Sequence, residues 1–129
     1  MSKKLSEIEL YQSATSAQRS TEEACASFPP FEGLALSIQL KKSAKAAVAH
    51  ITECYGRHNR ADRIRLLRLA VEAVDQTLRG LESAFRSKVV KQPEYDKLNE
   101  SWTAVVMQID SYVQYLEAGG ELEAPLPEA

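Results

Sequence analysis

The sequence has few of the residues and runs that mark secreted, membrane-spanning or disulfide-rich proteins. It contains two cysteines, which form no Cys-x-x-Cys pair, so we expect no structural disulfide and a reducing compartment. Its longest apolar runs are a few residues, far below the roughly 18 needed to cross a bilayer, and no signal-peptide segment follows Met1. These absences predict a cytoplasmic protein with no membrane partner.

The residues that support catalysis are also scarce. The only histidines are His50 and His58, and no Gly-x-Ser-x-Gly turn is present, so the sequence offers little for a hydrolase. No Glu-x-x-His motif occurs, which argues against a di-iron bundle. Apolar and polar residues do not alternate with a period of two over any useful length, which argues against a sheet. We therefore expect no catalytic residue and no cofactor.

The sequence does contain heptad spacing. Apolar residues step alternately by three and four positions in two stretches, which are Ile64, Leu67, Val71, Val74, Leu78, Leu81 and Phe85, and then Tyr95, Leu98, Trp102, Val105, Ile109, Tyr112 and Leu116. A repeat of 3.5 residues places each set on one stripe of an α-helix. The spacing predicts two long helices packed along their lengths.

Two further helices precede them. The pattern predicts helices over about 5–27, 32–55 and 61–87, and a fourth from near Pro93 to about 118. The breaks are Phe28-Pro29-Pro30, Gly56 and Gln92-Pro93, and Asn59 is a candidate N-cap for the third helix. Short connections make consecutive helices antiparallel. We expect an all-α, up-down-up-down antiparallel four-helix bundle in one domain, residues 1–118, followed by a C-terminal tail, residues 119–129.

Charge is unevenly distributed along the chain. Residues 39–68 carry eight basic and two acidic side chains, a balance of +6, although the whole chain has a net charge of −2. Arginine suits phosphate oxygens, so the start of the third helix is a candidate nucleic-acid surface. Its residues are Arg57, Arg60, Arg63, Arg65 and Arg68. The alternative is that these arginines pair with acidic residues of a neighbouring subunit.

The third and fourth helices carry apolar residues beside their main stripes. A second apolar face usually needs a second partner, so we expect self-association, although a broad buried face would give the same pattern. The candidate subunit-contact residues are Leu66, Leu69, Ala70, Ala73, Val106 and Val113.

One short segment holds three potential metal ligands. His50 and Cys54 are four residues apart and share a helix face, while His58 lies beyond Gly56, where the helix should stop. Without a second ligand pair elsewhere, Cys54 is better explained as a small core residue and the histidines as boundary groups. We expect no metal site.

The segment from Phe28 to Arg57 resembles the four-helix-bundle family once labelled S23 ribosomal protein, encoded in intervening sequences of 23S ribosomal RNA. The family's recurring elements stand here as Phe28-Pro29, Gly33-Leu34, Gln39-Leu40-Lys41-Lys42, His50-Ile51-Thr52-Glu53-Cys54 and Gly56-Arg57. The later helices agree with the family in length and placement.

The resemblance implies a four-helix protomer, often assembled as a homopentamer, with no known catalytic activity. It also brings in a relative, the accessory variability protein of diversity-generating retroelements, which binds nucleic acid through a basic surface. That relative is strongly basic, whereas this chain has a pI of about 5.7. We therefore expect a self-assembling, non-enzymatic scaffold or adaptor, with an RNA- or DNA-binding accessory protein as the alternative.

Overall fold

The computed structural model describes residues 4–122. Within that range a short 3₁₀ turn at Leu5–Glu7 precedes four helices: α1 is Glu9–Ala26, α2 is Leu34–Tyr55, α3 is Arg60–Arg86 and α4 is Gln92–Glu117. No strand occurs among these residues. The tail expected from the sequence lies outside them from residue 123 onward.

The four helices form a closed square. α1 packs against α2 and α4, and α3 packs against the same two helices, with the most extensive contact between α2 and α3. Since each helix packs against the next one along the chain across a short connection, consecutive helices run in opposite directions. The all-α four-helix bundle expected from the sequence is confirmed. α2 and α4 therefore occupy opposite corners of the square and run in the same direction.

Local signals in the sequence explain where α3 and α4 begin. The side chain of Asn59 accepts a hydrogen bond of 3.1 Å from the backbone N–H of Asp62, which caps α3 as predicted. Pro93 lies in the first turn of α4, where its missing N–H leaves no intrahelical bond unmade. α1 differs from the expectation, because the chain from Leu5 first makes the separate 3₁₀ turn.

Two helix ends share one geometry but differ in residue type. After α3, Lys88 has a φ of 62°, and the N–H groups of Lys88 and Val89 donate to the carbonyls of Phe85 and Ala84 at 3.0 and 2.8 Å. After α4, Gly119 has a φ of 90° and begins the same pair of bonds. Both are Schellman ends, and the left-handed position favours glycine. Lys88 therefore occupies a position that is strained for its side chain.

The predicted stripe of α4 and the buried face of α1 form part of the core. On α4 the stripe's Leu98, Trp102, Val105, Ile109 and Leu116 are buried, and its two tyrosines are half-buried. On α1 the buried residues are Leu10, Ala14, Ala17, Thr21, Ala24 and Cys25. Small side chains on α1 let the neighbouring backbones come close.

The predicted stripe of α3 is partly wrong. Leu67, Val74 and Leu81 are fully buried, but Ile64, Val71, Leu78 and Phe85 are only half-buried. The buried face is rotated toward a set of small and polar residues, which are Arg63, Ala70, Ala73, Thr77, Gly80 and Ala84. The reason is the close contact with α2, which large side chains on this face would prevent.

The α2–α3 contact is closest around Gly80. A Cβ atom on Gly80 would lie 2.8 Å from Cδ2 of Leu40, which is itself fully buried. About one turn away along both helices from this Leu40–Gly80 contact, the hydroxyls of Ser43 and Thr77 lie 2.7 Å apart. The two hydroxyls have two protons between them, so one donates to the other, and the accepting hydroxyl donates to a backbone carbonyl of its own helix, Leu40 for Ser43 or Ala73 for Thr77. Both buried polar groups are therefore satisfied.

Candidate functional site

Arg63 lies in the core and not on the expected basic surface. Its side chain has no exposed area. Its Nε donates to the backbone carbonyl of Arg57 at 3.0 Å, and its Nη1 donates to the hydroxyl of Tyr112 at 2.9 Å. The guanidinium also lies 5.9 Å from the ring centre of Tyr55, which stacks on Tyr112. The placement of Arg63 on a nucleic-acid surface is therefore wrong, and its contacts join the α2–α3 turn to α4.

The other four arginines of the basic segment are at least partly exposed, and each has a partner within the protomer. Arg57 pairs with Glu53, Arg65 with Asp62 at 3.8 Å, and Arg68 with Glu117 at 2.9 Å. Arg60 donates to the carbonyl of Gly120 at 2.7 Å. The carboxylates of Glu53, Asp62 and Glu117 reduce the positive potential that a phosphate would meet at these arginines.

The candidate subunit-contact residues are divided between core and surface. Leu66, Ala70 and Ala73 are 2%, 0% and 5% exposed, so the expectation that they lie outside the protomer's own core is wrong. Val113 is also buried, at 8%. Leu69 and Val106 are half-buried and retain some accessible surface. The broad apolar pattern on α3 thus mostly reflects a helix buried by two neighbours.

The largest exposed apolar side chains lie elsewhere, on α2 and α4. Phe31 is 91% exposed in the turn before α2, and Leu34 and Ile38 follow on the helix at 57% and 58%. Met107, in the middle of α4, is 65% exposed. Sequence reasoning missed these residues because it looked for subunit contacts beside the main apolar stripes of the third and fourth helices. Their spacing by three and four residues was the available signal, since it forms a second stripe on α2.

The surface formed by the described residues also has depressions, and two of them differ in position and lining residues. One lies on α3 and has a volume of about 440 Å³, with Ile64 and Leu69 among its lining residues and Arg65 and Arg68 beside them. The other, of about 420 Å³, lies between α1 and α4 and is lined by Glu23, Glu94, Lys97, Leu98 and neighbouring serines. The lining of neither includes a histidine or a cysteine, which limits the nucleophilic chemistry they could support.

The histidine–cysteine segment has no ligand geometry. Cys54 is fully buried, and burial raises the pKa of its thiol to about 12. A thiol held in its protonated form is a poor metal ligand. His58 is exposed beyond Gly56, the C-cap of α2. Among residues 4–122, no three His, Cys, Asp or Glu side chains are grouped so that they could hold a metal ion.

Comparison with known families agrees with this fold and with the motif read from α2. A sequence model of the 23S rRNA-intervening sequence protein family matches residues 6–111, which span all of α1, α2 and α3 and most of α4. The chain belongs to this family. The resemblance carried by the segment from Phe28 to Arg57 is thereby confirmed.

A solved structure supports the same architecture for the family. It is a protein of unknown function from the S23 ribosomal protein family of Bacteroides thetaiotaomicron, which superimposes with a TM-score of 0.75. The two sequences are 20% identical, and the match covers 81% of this chain and 98% of that one. At this identity the similarity shows the fold alone.

One further comparison and one property of the helices complete the description. No curated protein matches the chain. Within the described residues, none of the helices combines the length and the apolar character that a membrane span requires.

Proposed function

We propose that this family member is a non-enzymatic protein that assembles with copies of itself and acts as a scaffold or adaptor, in the ring of five that the family resemblance implies. The observation that carries the proposal is the exposure of Phe31, Leu34, Ile38 and Met107. Large apolar side chains that stay exposed on a monomer's surface, here before and along α2 and at the opposite corner on α4, favour burial against a partner. Each such side chain contributes about 1.5–3 kcal/mol when it is fully removed from water.

The proposed function depends on surface residues and not on a buried catalytic site. The bundle core is filled by side chains from all four helices. Thr21 on α1 bonds Trp102 on α4, and Ser43 on α2 bonds Thr77 on α3, so these buried hydroxyls have partners on adjacent helices. A rigid core of this kind holds the outer faces of the helices in fixed relative positions. That property suits a protein whose role is to present surfaces to copies of itself.

Sedimentation velocity of the purified full chain across nanomolar to tens of micromolar concentrations tests the proposal. We expect a species larger than the 14.3 kDa protomer in the micromolar range. The double variant Phe31→Gln, Ile38→Gln should shift assembly to higher concentration by at least about tenfold, since it removes more than 1.4 kcal/mol of apolar burial. A chain that stays monomeric throughout would overturn the proposal.

The nucleic-acid alternative is tested on the same material. Arg63 is buried and Arg57, Arg65 and Arg68 pair with carboxylates, which leaves this alternative with less support. A gel shift with single- and double-stranded RNA and DNA at low and moderate salt measures binding directly. Binding that weakens in the double variant Arg60→Gln, Arg65→Gln, and not in Arg19→Gln, Arg79→Gln, would favour the alternative over the scaffold.

A further inference from the structure

The exposed face of α2 combines apolar and positively charged residues. From Leu34 and Ile38 the face continues through Lys41, Lys42 and Lys45, because helical spacing places all five within about 60° of one meridian. All three lysines are exposed, and none is in an ion pair with another described residue. Together with Phe31, these residues define what we call the α2 face.

The exposed face of α4 has the opposite charge. Met107 lies at its centre, and Asp96, Glu100 and Asp110 lie along the same meridian to within about 60°. The three carboxylates are exposed, and none is in an ion pair with another described residue. These four residues define the α4 face. Exposed carboxylates and an exposed apolar side chain therefore share the α4 face, as exposed lysines and apolar side chains share the α2 face.

We propose that the α2 face of one copy of this chain docks on the α4 face of the next. The inference rests on the proposed self-assembly and specifies its contact surfaces. Charge complementarity identifies the occupant: the lysines of one copy meet the carboxylates of another, while Phe31, Leu34, Ile38 and Met107 leave water.

Contact of each face with its own kind is disfavoured by the same charges. Two α2 faces would oppose lysines to lysines, and two α4 faces would oppose carboxylates to carboxylates, which costs free energy in a desolvated contact. The outer face of α1 is a poorer acidic partner, since its Glu23 shares the surface with Arg19 and no large apolar side chain there is exposed. The contact therefore joins two different faces.

The bundle geometry makes such a contact propagate. α2 and α4 occupy opposite corners of the square, so a copy that uses its α2 face on one neighbour leaves its α4 face available for another. A head-to-tail contact closes into a ring when its rotation divides a full turn, and otherwise extends as an open chain. The ring of five in the proposed function is one closed form.

Charge reversal of each face, alone and combined, tests the pairing. One variant reverses the α2 face, with Lys41→Glu, Lys42→Glu and Lys45→Glu. A second reverses the α4 face, with Asp96→Lys, Glu100→Lys and Asp110→Lys. A third carries all six substitutions, which restores opposite charges between the two faces.

Matched controls reverse the same number of exposed charges on other elements. For the α2 face the control is Arg19→Glu, Arg79→Glu and Lys91→Glu. For the α4 face it is Glu22→Lys, Glu23→Lys and Asp75→Lys. All six residues are exposed, and none is in an ion pair between described residues. Circular dichroism checks that each variant keeps the helicity of the native chain.

The readout is the midpoint concentration of assembly, measured by sedimentation velocity at low salt. Each single-face reversal should raise the midpoint at least about tenfold, the combined variant should return it toward the native value, and the controls should leave it unchanged. Native assembly with unaffected single-face variants, or with no rescue in the combined variant, would overturn the pairing but leave self-assembly standing. A native chain that is monomeric at every concentration would overturn self-assembly itself.

Discussion

The indole Nε1 of Trp102 donates a hydrogen bond of 2.9 Å to Oγ1 of Thr21, and both side chains are fully buried. The same hydroxyl donates to the backbone carbonyl of Ala17 at 2.8 Å. The bond links α4 to α1 across the core and satisfies the only polar group of the tryptophan.

Thr21→Val keeps the shape of the side chain and removes the acceptor. The indole N–H would be left buried without a partner, so the free energy of unfolding should fall by about 1–3 kcal/mol. Urea denaturation measures the change. Thr15→Val is the control, since that hydroxyl bonds only carbonyls of its own helix at a half-exposed position. Equal losses for the two variants would contradict the role given to the Trp102 bond.

Arg63→Lys should destabilise the bundle although it keeps the charge. The guanidinium bonds the carbonyl of Arg57 and the hydroxyl of Tyr112 from two different nitrogens, and a single ammonium cannot reproduce that fork. We expect a loss of about 2–4 kcal/mol in the free energy of unfolding, by chemical denaturation. Arg65→Lys, at an exposed position, should stay within about 0.5 kcal/mol of the native chain. A loss at Arg63 as small as that at Arg65 would contradict the structure.

Gly80→Ala tests the close contact between α2 and α3. Alanine favours a helix by up to about 1 kcal/mol, but its Cβ would lie 2.8 Å from Cδ2 of the buried Leu40. Overpacking costs about 1–3 kcal/mol, so a net destabilisation is expected in thermal or urea unfolding. In a Leu40→Ala background, which removes the clashing atom, the same substitution should become neutral or stabilising. No difference between the two backgrounds would mean that the helices are farther apart.

Lys88→Gly and Gly119→Ala should change stability in opposite directions. A left-handed conformation costs a residue with a Cβ about 1–2 kcal/mol, so glycine at position 88 should stabilise the chain by about 1 kcal/mol and alanine at position 119 should destabilise it similarly. Among residues 4–122, no atom outside the neighbouring residues lies within 4 Å of a Cβ placed on Gly119, so only backbone strain acts there. Melting temperatures measure both changes, and a shift of the same sign in both would refute the explanation.

Because the thiol of Cys54 is buried, the stability of the bundle should depend on pH in the alkaline range. Its pKa is raised from 9.0 to about 12 by burial, so the folded chain retains a proton that the unfolded chain releases. The contribution of the protonated Cys54 thiol to the free energy of unfolding is fully present below pH 9. It is lost as pH rises from about 9 toward 12, by at most about 1.4 kcal/mol per pH unit. The slope of unfolding free energy against pH should therefore be shallower in Cys54→Ala. Identical slopes would show that Cys54 does not ionise on unfolding in this range.

Helix existence and approximate bounds were predictable because each signal is local. The Asn59 cap, Pro93 and the Gly119 end act within one turn of the chain, and the apolar stripe of α4 contains its largest core residues. Lys88 gave no such signal, because its left-handed backbone is imposed by the closing bonds of α3 and not by its residue type.

The buried face of α3 and the placement of Arg63 were harder to predict, since both depend on how closely α2 approaches. Because the sequence prediction relied on large apolar residues, it assigned Ile64 and Leu78 to the buried stripe. In the structure, close packing against α2 buries Ala70 and Gly80 instead. Arg63 belongs to a run of arginines with similar sequence surroundings, and only the tertiary position of Tyr112 distinguishes it. The exposed side chains of Phe31 and Met107 follow from the same packing, because burial on one face of a helix determines what the other face presents.

Trp102 is the only tryptophan of the chain, so its intrinsic fluorescence reports on one helix contact, the one between α1 and α4. Circular dichroism, by contrast, averages over every helix. If both signals change together during denaturation, the four helices melt as one cooperative unit. If the fluorescence changes first, α1 separates from α4 while α2 and α3, which are joined by the bond between Ser43 and Thr77, remain helical.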